Sequence, residues 1–258
     1  MEIIIKRDAE EASLEAAAIF RRQLREKPES VLGLATGSTP LPFYRLLGEM
    51  ARAGELDASH AVTFNLDEYV GLPASHPQSY AAYMREHLFN RLAVARWHIP
   101  DGMAADLPRH CAAYEAAIRA AGGIDLQLLG LGGDGHIGFN EPGSSLGSRT
   151  RIKTLTERTV ADNAPHFASP AEVPRHVITM GVGTILEARA CVVLAFGERK
   201  AHAVAAMAEG PVTALVPASA LQMHPACTLL VDEAAAGALQ RREYYRWVYE
   251  NKPAWQRV

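Results

Sequence analysis

The sequence predicts an α/β protein built on an open, mostly parallel, Rossmann-like sheet with helices on both faces. Short apolar, β-branched runs alternate with segments of helical periodicity, and this alternation is typical of parallel strands joined by right-handed crossovers. With 258 residues, 48% of them apolar and 21% charged, the chain is long enough for one large domain. No repeat or change in composition marks a boundary, so we expect residues 1–258 to form a single domain.

The elements follow from local patterns. Strands are predicted at residues 2–5, 31–35, 61–66, 124–129, 177–180, 190–196 and 227–231. Helices are predicted at about 8–26, after Pro40, at about 78–91 and 106–121, from 181, after 197–200 to about 209, and at about 234–250. Asp8 with Glu11 resembles a capping box, and Ser38 or Thr39 can cap the second helix. Residues 155–174 show weak periodicity and scattered prolines, which favours a mobile lid.

Composition argues against several classes of partner. The formal charge is −3, the pI is about 6.4, and no long run of Lys or Arg occurs, so neither nucleic acid nor a membrane surface is expected. Cys191 and Cys227 lie in apolar, strand-like runs and are most simply buried thiols. We therefore expect a reducing compartment. We find no signal peptide and no apolar run of membrane-spanning length, so we expect a cytoplasmic protein.

Polar segments follow directly after four of the predicted strands. Because the carboxyl ends of parallel strands meet at one edge of the sheet, where ligands bind, we expect these segments to form a single site. The segments are Thr36–Thr39, Asp67–Tyr69, Gly132–Glu141 and Gly197–Lys200.

The first segment, Thr36-Gly37-Ser38-Thr39, precedes a predicted helix and suits an anion. Free backbone N–H groups and the helix dipole favour negative charge at such a position, and Lys200 offers a positive charge from another strand end. The segment lacks the spacing of a P-loop. The alternatives are a simple helix cap and, for Lys200, a solvated lysine.

Asp67 stands where a strand is predicted to end, beside Glu68, so at least one of these carboxylates should face the crevice. Two adjacent carboxylates raise each other's pKa, which suits a general base acting on a carbon acid. The alternative is a capping aspartate. No metal or other cofactor is expected, because the ten histidines lack zinc-type spacing and Asp134 with His136 supplies too few ligands.

The block from Gly130 to Pro142 places Asp134, His136 and Glu141 among five glycines. Glycines let the backbone adopt positive φ and approach a ligand closely, and a carboxylate beside a histidine can hold one tautomer of the ring. The alternative is a glycine-rich turn with a solvated histidine. A dinucleotide fingerprint is disfavoured, because Asp134 would stand where a pyrophosphate needs to bind. Together, an anion site, a carboxylate base and a histidine–carboxylate pair suggest chemistry on a small phosphorylated metabolite.

These motifs resemble the glucosamine-6-phosphate deaminase (isomerising) family. The resemblance runs nearly from end to end and weakens after about Asp232. Its most specific parts are Asp67-Glu68-Tyr69 and the run from Asp134 to Pro142. The matching stretches are residues 34–40, 62–72, 133–142, 148–154 and 181–184.

The resemblance implies hydrolytic deamination of glucosamine 6-phosphate to fructose 6-phosphate and ammonia, in amino sugar catabolism. By analogy, His136 opens the pyranose ring, and Asp134 and Glu141 orient the imidazole of His136. Asp67 then takes the proton from C2 of the open-chain sugar. The phosphate would be held by Thr36–Thr39 and Lys200. The backbone of Gly132, Gly133 and Gly135 would lie close to the sugar.

One position departs from the family pattern. The family places a phosphate-binding arginine in the lid, shortly after the residue that Asn163 matches, and here Pro165 stands at that position. Proline cannot bind phosphate, so Arg158 or His166 takes over or the affinity for phosphate is lower. We therefore predict a weaker requirement for lid closure.

Some bacterial members of the family are hexamers activated by N-acetylglucosamine 6-phosphate. The residues that match their effector-binding positions are Ser144, Arg151, Lys153 and Thr154. The alternative is that Arg151 and Lys153 simply lie on a positive surface or strand. The tyrosine that completes that effector site has no clear match near the end of this chain.

Three rival functions remain open from the sequence. A 6-phosphogluconolactonase shares the fold but needs no base at C2. The Asp67-Glu68-Tyr69 motif, which would supply such a base, argues against this rival. A galactosamine-6-phosphate deaminase differs only in contacts to C4. A non-catalytic sugar-phosphate sensor would have no need of Asp67 together with His136.

Overall fold

Seven parallel strands form the central sheet of the protein, whose computed structural model describes residues 1–167, 169, 172–253 and 256. The strands lie in the order β1-β10-β9-β6-β2-β3-β5, and every neighbouring pair is parallel. Their bounds are β1 Glu2–Lys6, β2 Val31–Leu34, β3 Val62–Asn65, β5 Arg96–His98, β6 Leu126–Gly130, β9 Ala190–Ala195 and β10 Cys227–Asp232. The predicted fold class, a mostly parallel α/β sheet, is confirmed.

Buried strands at the centre of the sheet explain why the sequence shows continuous apolar runs. All four residues of β2 are buried, as are the last five of β9, because helices cover the sheet. One continuous hydrophobic core includes Phe20, Leu34 of β2, Leu128 of β6 and Val193 of β9. The described residues thus form one domain around this sheet.

Eight α-helices are found in the described part of the chain. They are α1 Ala9–Glu26, α2 Leu41–Arg52, α3 Tyr80–Met84, α4 Leu107–Ala120, α5 Glu157–Asn163, α6 Val182–Leu186, α7 Ala201–Glu209 and α8 Arg242–Glu250. The predicted cap of α1 is confirmed, since the Asp8 carboxylate accepts the N–H of Glu11 at 2.9 Å. The predicted cap of α2 by Ser38 or Thr39 is wrong. Pro40 holds the N-cap position, and no side chain caps the first turn.

A second, three-stranded antiparallel sheet lies beside the first and was not predicted. It consists of β4 Asp67–Tyr69, β8 His176–Thr179 and β7 Arg151–Thr154, in the order β4-β8-β7. Leu66 links the two sheets: its N–H donates to Leu34 at 3.0 Å, and its C=O accepts from Met180 at 2.7 Å. The predicted strand 177–180 therefore exists, but it belongs to this small sheet.

Three predicted helical or lid segments are more broken than expected. The helix at 78–91 is α3 followed by a π-helical turn, Arg85–Phe89. The helix predicted at 234–250 is instead a 3₁₀ turn, Ala235–Ala238, followed by α8. At the break between the two, the carboxylate of Glu209 accepts the N–H groups of residues 240 and 241. The lid segment 155–174 contains α5, and its residues 168, 170 and 171 lie outside the described part.

Candidate active site

The order of strands in the central sheet reverses between β2 and β6. From β2 the chain adds β3 and β5 on one side, and it continues with β6, β9 and β10 on the other. In open parallel sheets, ligands bind at such a switch point, outside the carboxyl ends of the strands. Thr36–Thr39 follows β2, and the loop of residues 131–142, here called the glycine-rich loop, follows β6. Two of the four predicted segments therefore meet in this crevice.

The Thr36–Thr39 segment enters α2 with its backbone held by two tyrosines. Gly37 has a φ of +100°, and its carbonyl accepts a hydrogen bond from the Tyr83 hydroxyl at 2.6 Å. The Tyr44 hydroxyl donates to Ala35 at 2.5 Å. Because no side chain caps the first turn of the 12-residue α2, this helix end can take an anion. Sequence reasoning missed Tyr83, since nothing local links it to residue 37.

Lys200 flanks the glycine-rich loop on the side opposite Thr36–Thr39. It ends a 3₁₀ turn, Glu198–Lys200, that follows β9, and β9 is the other neighbour of β6. Both carboxylate oxygens of Asp232 accept the N–H of Gly197 at 3.0 Å and so hold this turn in place. The third predicted segment thus lies at the same sheet edge as the first two.

Glycines are required in the glycine-rich loop because other parts of the protein pack against its backbone. A Cβ on Gly132 would lie 2.3 Å from Cε1 and Nδ1 of His136, and one on Gly135 would lie 2.6 Å from Val216. Gly135 also has a φ of +85°, which favours glycine. The N–H of Gly132 donates to the carbonyl of His136 at 2.9 Å. The backbone at Gly132 therefore packs directly against the imidazole and limits where this ring can lie.

Asp134 and His136 form a close pair in the loop. Nδ1 of His136 lies 2.6 Å from Oδ1 of Asp134, and the same oxygen accepts the backbone N–H of His136 at 3.1 Å. Contact with the imidazole lowers the pKa of Asp134 to about 2, so this carboxylate stays negative at any working pH. A carboxylate this close to Nδ1 favours the tautomer with its proton on that nitrogen, which leaves Nε2 to exchange protons with a ligand.

Asp67 opens β4 and is only 4% exposed. Among the described residues, no donor forms a hydrogen bond with its carboxylate. Burial, with the neighbouring charge of Glu68 as a second cause, raises the pKa of Asp67 to about 8. The predicted direction is confirmed, although burial contributes more than the adjacent carboxylate.

Gly138 and Thr179 bring the glycine-rich loop against Asp67. Gly138 has a φ of +57°, and a Cβ there would lie 2.9 Å from the Thr179 hydroxyl and 3.5 Å from Oδ2 of Asp67. Thr179 pairs with Asp67 across β4 and β8, and its hydroxyl accepts the N–H of Phe139 at 3.1 Å. The loop that carries His136 is thus packed directly on the strand that carries Asp67.

Glu68 has a structural role that the sequence did not reveal. Its carboxylate accepts the N–H groups of Tyr69 and Tyr80 at 2.9 Å and of Ala81 at 3.0 Å. Because side chains alternate along a strand, Glu68 points away from Asp67 and binds the start of α3. Only one of the two adjacent carboxylates is therefore available to a ligand.

Glu141 contacts the lid segment rather than His136. Its carboxylate accepts the N–H of Thr156 at 3.2 Å and the Thr156 hydroxyl at 2.9 Å, and it also binds the Thr159 hydroxyl. Thr156 is the N-cap of α5, so Glu141 ties the end of the glycine-rich loop to the lid helix. Sequence reasoning missed both threonines, because only the fold brings them to residue 141.

The residues that match effector positions lie next to the glycine-rich loop and on β7. Nη1 of Arg151 donates to the Asn140 side chain at 2.9 Å, and Arg151 has no acidic partner among the described residues. The Ser144 hydroxyl is buried, and it finds no hydrogen-bond partner in that part of the chain. Lys153 and Thr154 follow Arg151 on the strand and pair with Val177 and His176.

The lid residues considered for phosphate binding are placed differently from one another. Pro165 lies within a 3₁₀ turn, Ala164–His166, and the side chain of His166 lies outside the described residues. Nη2 of Arg158, on α5, is 3.8 Å from the position of a Cβ on Gly133. Arg158 thus lies beside the glycine-rich loop, and the three alternatives of Arg158, His166 or a lower affinity for phosphate stay open.

Two further observations concern the described part of the chain as a whole. It contains no group of three or more His, Cys, Asp or Glu side chains able to hold a metal ion. None of its helices combines the length and apolar character needed to cross a bilayer. Cys111, Cys191 and Cys227 are free and buried.

This fold and site define a known class of protein. Residues 6–230 match the family of glucosamine-6-phosphate isomerases and 6-phosphogluconolactonases, and the chain belongs to that family. The family resemblance predicted from the motifs is confirmed.

Several relatives are similar over their full length. The glucosamine-6-phosphate deaminases of Pseudarthrobacter chlorophenolicus and Streptomyces coelicolor are 55% and 54% identical, and each match covers 100% of both chains. A solved monomeric glucosamine-6-phosphate deaminase is 42% identical with a TM-score of 0.90, over 92% of this chain and 100% of that one. A 6-phosphogluconolactonase from Trypanosoma brucei, 21% identical with a TM-score of 0.74 over 92% of this chain and 98% of that one, shares the fold.

Proposed function

We propose that this chain is a glucosamine-6-phosphate deaminase, which converts glucosamine 6-phosphate and water to fructose 6-phosphate and ammonia in amino sugar catabolism. The observation that carries the proposal is Asp67, a buried carboxylate with a pKa of about 8 at the same sheet edge as the Asp134–His136 pair. A base poised near working pH is what proton removal from carbon requires. The relatives of 54–55% identity that bear this name support the same substrate.

The first step assigned to the site is opening of the pyranose ring. His136 moves a proton from the C1 hydroxyl to the ring oxygen as the C1–O5 bond breaks, and the open-chain aldehyde forms. The 2.6 Å contact with Asp134 supports this role, because it fixes the tautomer and stabilises the imidazolium that forms during transfer. Asp134 itself stays ionised throughout.

The second step is isomerisation and loss of nitrogen. Asp67 takes the proton from C2 of the open-chain sugar, which gives an enolamine, and a proton delivered to C1 then leaves an imine at C2. Water adds to C2, the C–N bond breaks, and ammonia departs with fructose 6-phosphate as the second product. Burial of Asp67 supports its role, since an ionised carboxylate deprived of water is a stronger base.

The phosphate is assigned to the uncapped end of α2. The backbone of Thr36–Thr39 and the side chain of Lys200 would bind it from two sides of the glycine-rich loop. Gly132, Gly133 and Gly135 would lie under the sugar. Closure of the lid segment 155–174 over this crevice is part of the proposal, and Glu141 supports it because this residue joins the loop to α5.

The experiment that tests the function is a product assay on the purified chain. We expect glucosamine 6-phosphate to yield ammonia and fructose 6-phosphate in equal amounts, and Asp67→Asn to form both roughly 10³-fold more slowly. Galactosamine 6-phosphate and 6-phosphogluconolactone, assayed in parallel, identify the two rival enzymes. Turnover of either rival substrate, with none of glucosamine 6-phosphate, would replace the proposed activity. Binding of glucosamine 6-phosphate without turnover of any of the three would indicate a sensor.

Activation by N-acetylglucosamine 6-phosphate is a further part of the proposal. The buried, unpartnered Ser144 hydroxyl and Arg151, which lacks an acidic partner in the described structure, support an anionic effector beside Lys153 and Thr154. If the effector binds there, it lowers the half-saturating concentration of substrate, and Lys153→Ala removes this response. Light scattering tests whether a homo-oligomer forms, and cell fractionation tests the expected cytoplasmic location.

A further inference from the structure

Asn140, in the glycine-rich loop, uses both ends of its side-chain amide inside the protein. The residue is fully buried. Its amide nitrogen donates to the carbonyl of Ile137 at 2.9 Å and to that of Met180 at 2.7 Å. Its amide oxygen accepts Nη1 of Arg151 at 2.9 Å. Because a carbonyl only accepts and a guanidinium only donates, these partners fix which end of the amide faces which neighbour.

The two carbonyls belong to different parts of the site. Ile137 directly follows His136, so the first hydrogen bond holds the backbone of the glycine-rich loop beside the imidazole. Met180 directly follows β8, and its N–H donates at 2.7 Å to the carbonyl of Leu66, the residue before Asp67. One amide group therefore joins the loop that carries the histidine to the segment that carries the buried carboxylate.

The loop comes close to Asp67 at the turn that this amide holds. A Cβ on Gly138 would lie 3.7 Å from Nδ2 of Asn140 and 3.5 Å from Oδ2 of Asp67. The backbone N–H of Asn140 also donates to the carbonyl of Ile137 at 3.1 Å, which closes the turn around Gly138. The amide and the carboxylate thus flank the same turn of the glycine-rich loop.

Loss of this amide would leave two backbone carbonyls without their donor in the protein interior. Unpaired buried carbonyls are unfavourable, so the loop and the strand would have to move or admit water. The proposed reaction depends on their spacing, because one group acts at C1 and O5 of the sugar and the other at C2. A displacement of reacting groups by about 1 Å can lower a rate by roughly 10²-fold.

We infer that Asn140 is a positioning residue whose amide sets the separation between His136 and Asp67, so that both act on neighbouring atoms of one bound sugar; this inference rests on the proposed function. Because Asn140 is fully buried, it acts through the backbone of Ile137 and Met180.

The test compares Asn140→Ala and Asn140→Asp with two matched control variants, Gln222→Ala and Gln222→Glu. The amide nitrogen of Gln222 also donates to two backbone carbonyls, those of Met207 and Gly210, each at 2.8 Å. This contact joins the end of α7 to a 3₁₀ turn, Pro217–Met223. The controls therefore remove the same kind of contact without touching the link between the loop and the strand.

Asn140→Ala should lower kcat by about 10²-fold and change KM by less than about threefold, because the phosphate is assigned to segments that Asn140 does not hold. Asn140→Asp should lose about as much of kcat. Its carboxylate can still accept from Arg151, but it cannot donate to the carbonyls of Ile137 and Met180. Both Gln222 variants should keep kcat within about twofold of the parent, whatever their melting temperatures.

Hydrogen exchange provides a readout that needs no turnover. The N–H of Phe139, bound by the Thr179 hydroxyl, and the N–H of Met180, bound by Leu66, both cross from one part of the site to the other. In Asn140→Ala these two amides should exchange at least about tenfold faster than in the parent, while those of the central sheet stay unchanged. In Gln222→Ala all of them should exchange as in the parent.

Parent-like kcat in Asn140→Asp would overturn the inference, because only the contact with Arg151 would then matter. A rise confined to KM, an equal loss of kcat in the Gln222 variants, or unchanged exchange at Phe139 and Met180 would overturn it as well. Absence of deaminase activity in the parent chain refutes the proposed function instead, and faster exchange confined to these two amides would still support the link through Asn140.

Discussion

Asp67 and Asp134 lie at the same edge of the sheet, yet their carboxyl groups have opposite electrostatic character. Asp67 is on a strand, 4% exposed, and burial followed by the charge of Glu68 raises its pKa to about 8. Asp134 is on a loop, its side chain is 24% exposed, and contact with His136 lowers its pKa to about 2. The sequence indicates the raised pKa of Asp67 through the adjacent Glu68, but not the burial that contributes most to it.

One site can thus supply two kinds of carboxylate. When the environments of two acids push their pKa values apart, one can exchange protons while the other remains a fixed negative charge. Asp67 is suited to take a proton from carbon, and Asp134 is suited to hold the imidazole of His136.

The largest effect is expected from Asp67→Asn. Removing the base should lower kcat by roughly 10³-fold, because general base catalysis contributes on that order. Exchange of the C2 hydrogen of recovered glucosamine 6-phosphate with solvent deuterium should be lost as well. The matched control is Asp57→Asn, where the exposed side chain can still accept the N–H of Ser59. Retained deuterium incorporation in Asp67→Asn would show that another group removes the proton.

The same variant should change the dependence of stability on pH. The folded protein retains the Asp67 proton up to about pH 8, whereas the unfolded chain loses it near pH 4, so this residue costs stability increasingly as the pH rises between those values. Asn carries no such cost. The free energy of urea unfolding of Asp67→Asn, relative to that of the parent, should therefore increase by several kcal/mol between pH 4.5 and 8.5. One pKa unit is worth about 1.4 kcal/mol. A constant difference would mean that Asp67 has an ordinary pKa.

Asp134→Asn should have an intermediate effect. Losing the fixed anion should lower kcat by roughly 10²-fold, because the amide no longer selects the tautomer of His136. Since the pKa of Asp134 is about 2, the carboxylate is ionised throughout the range from pH 6 to 9, and the loss should be present at every pH in it. Rate profiles of the two proteins over that range provide the check. A variant as active as the parent at any pH in that range would contradict the role of a permanently ionised Asp134.

Gly132→Ala should have the smallest effect on turnover. The new methyl group would lie 2.3 Å from the ring of His136, so the imidazole must move. We expect kcat to fall by roughly tenfold while the melting temperature changes by only a few degrees, since the ring is half-exposed and can shift. Gly147→Ala, whose Cβ would meet nothing closer than 4.0 Å, is the control. Equal activity of the two variants would show that the ring position is not critical.

Much of the fold was readable from local pattern. The buried strands of the central sheet appear as apolar runs, and the segments that follow β2, β6 and β9 carry the glycines and charges that mark a ligand edge. The close pairing of Asp134 with His136 was also predictable, because only two positions separate them. These features depend on short-range sequence and on one general rule about parallel sheets.

The remainder depends on contacts between distant residues. Residues 96–98 form an exposed edge strand without an apolar run. The sequence predicts Asp67–Tyr69 only as a polar segment after the strand at 61–66, because its pairing with β8 is not visible locally. Likewise, nothing near Glu141 predicts that its carboxylate binds Thr156 and Thr159. The burial of Asp67 also depends on distant residues, since Gly138 and Thr179, from two other segments, pack beside its carboxylate.

A direct measurement of the pKa of Asp67 tests the central claim. Carbon-13 NMR of aspartate carboxyl groups, followed from pH 5 to 9 and assigned by the signal missing in Asp67→Asn, reports this ionisation without any substrate. The account predicts a midpoint near pH 8 for this signal, whereas that of Asp134 should not titrate in this range. An Asp67 signal that does not titrate between pH 5 and 9 would contradict this assignment, because Asp67 would then be an ordinary carboxylate with no special fitness to remove a proton from carbon.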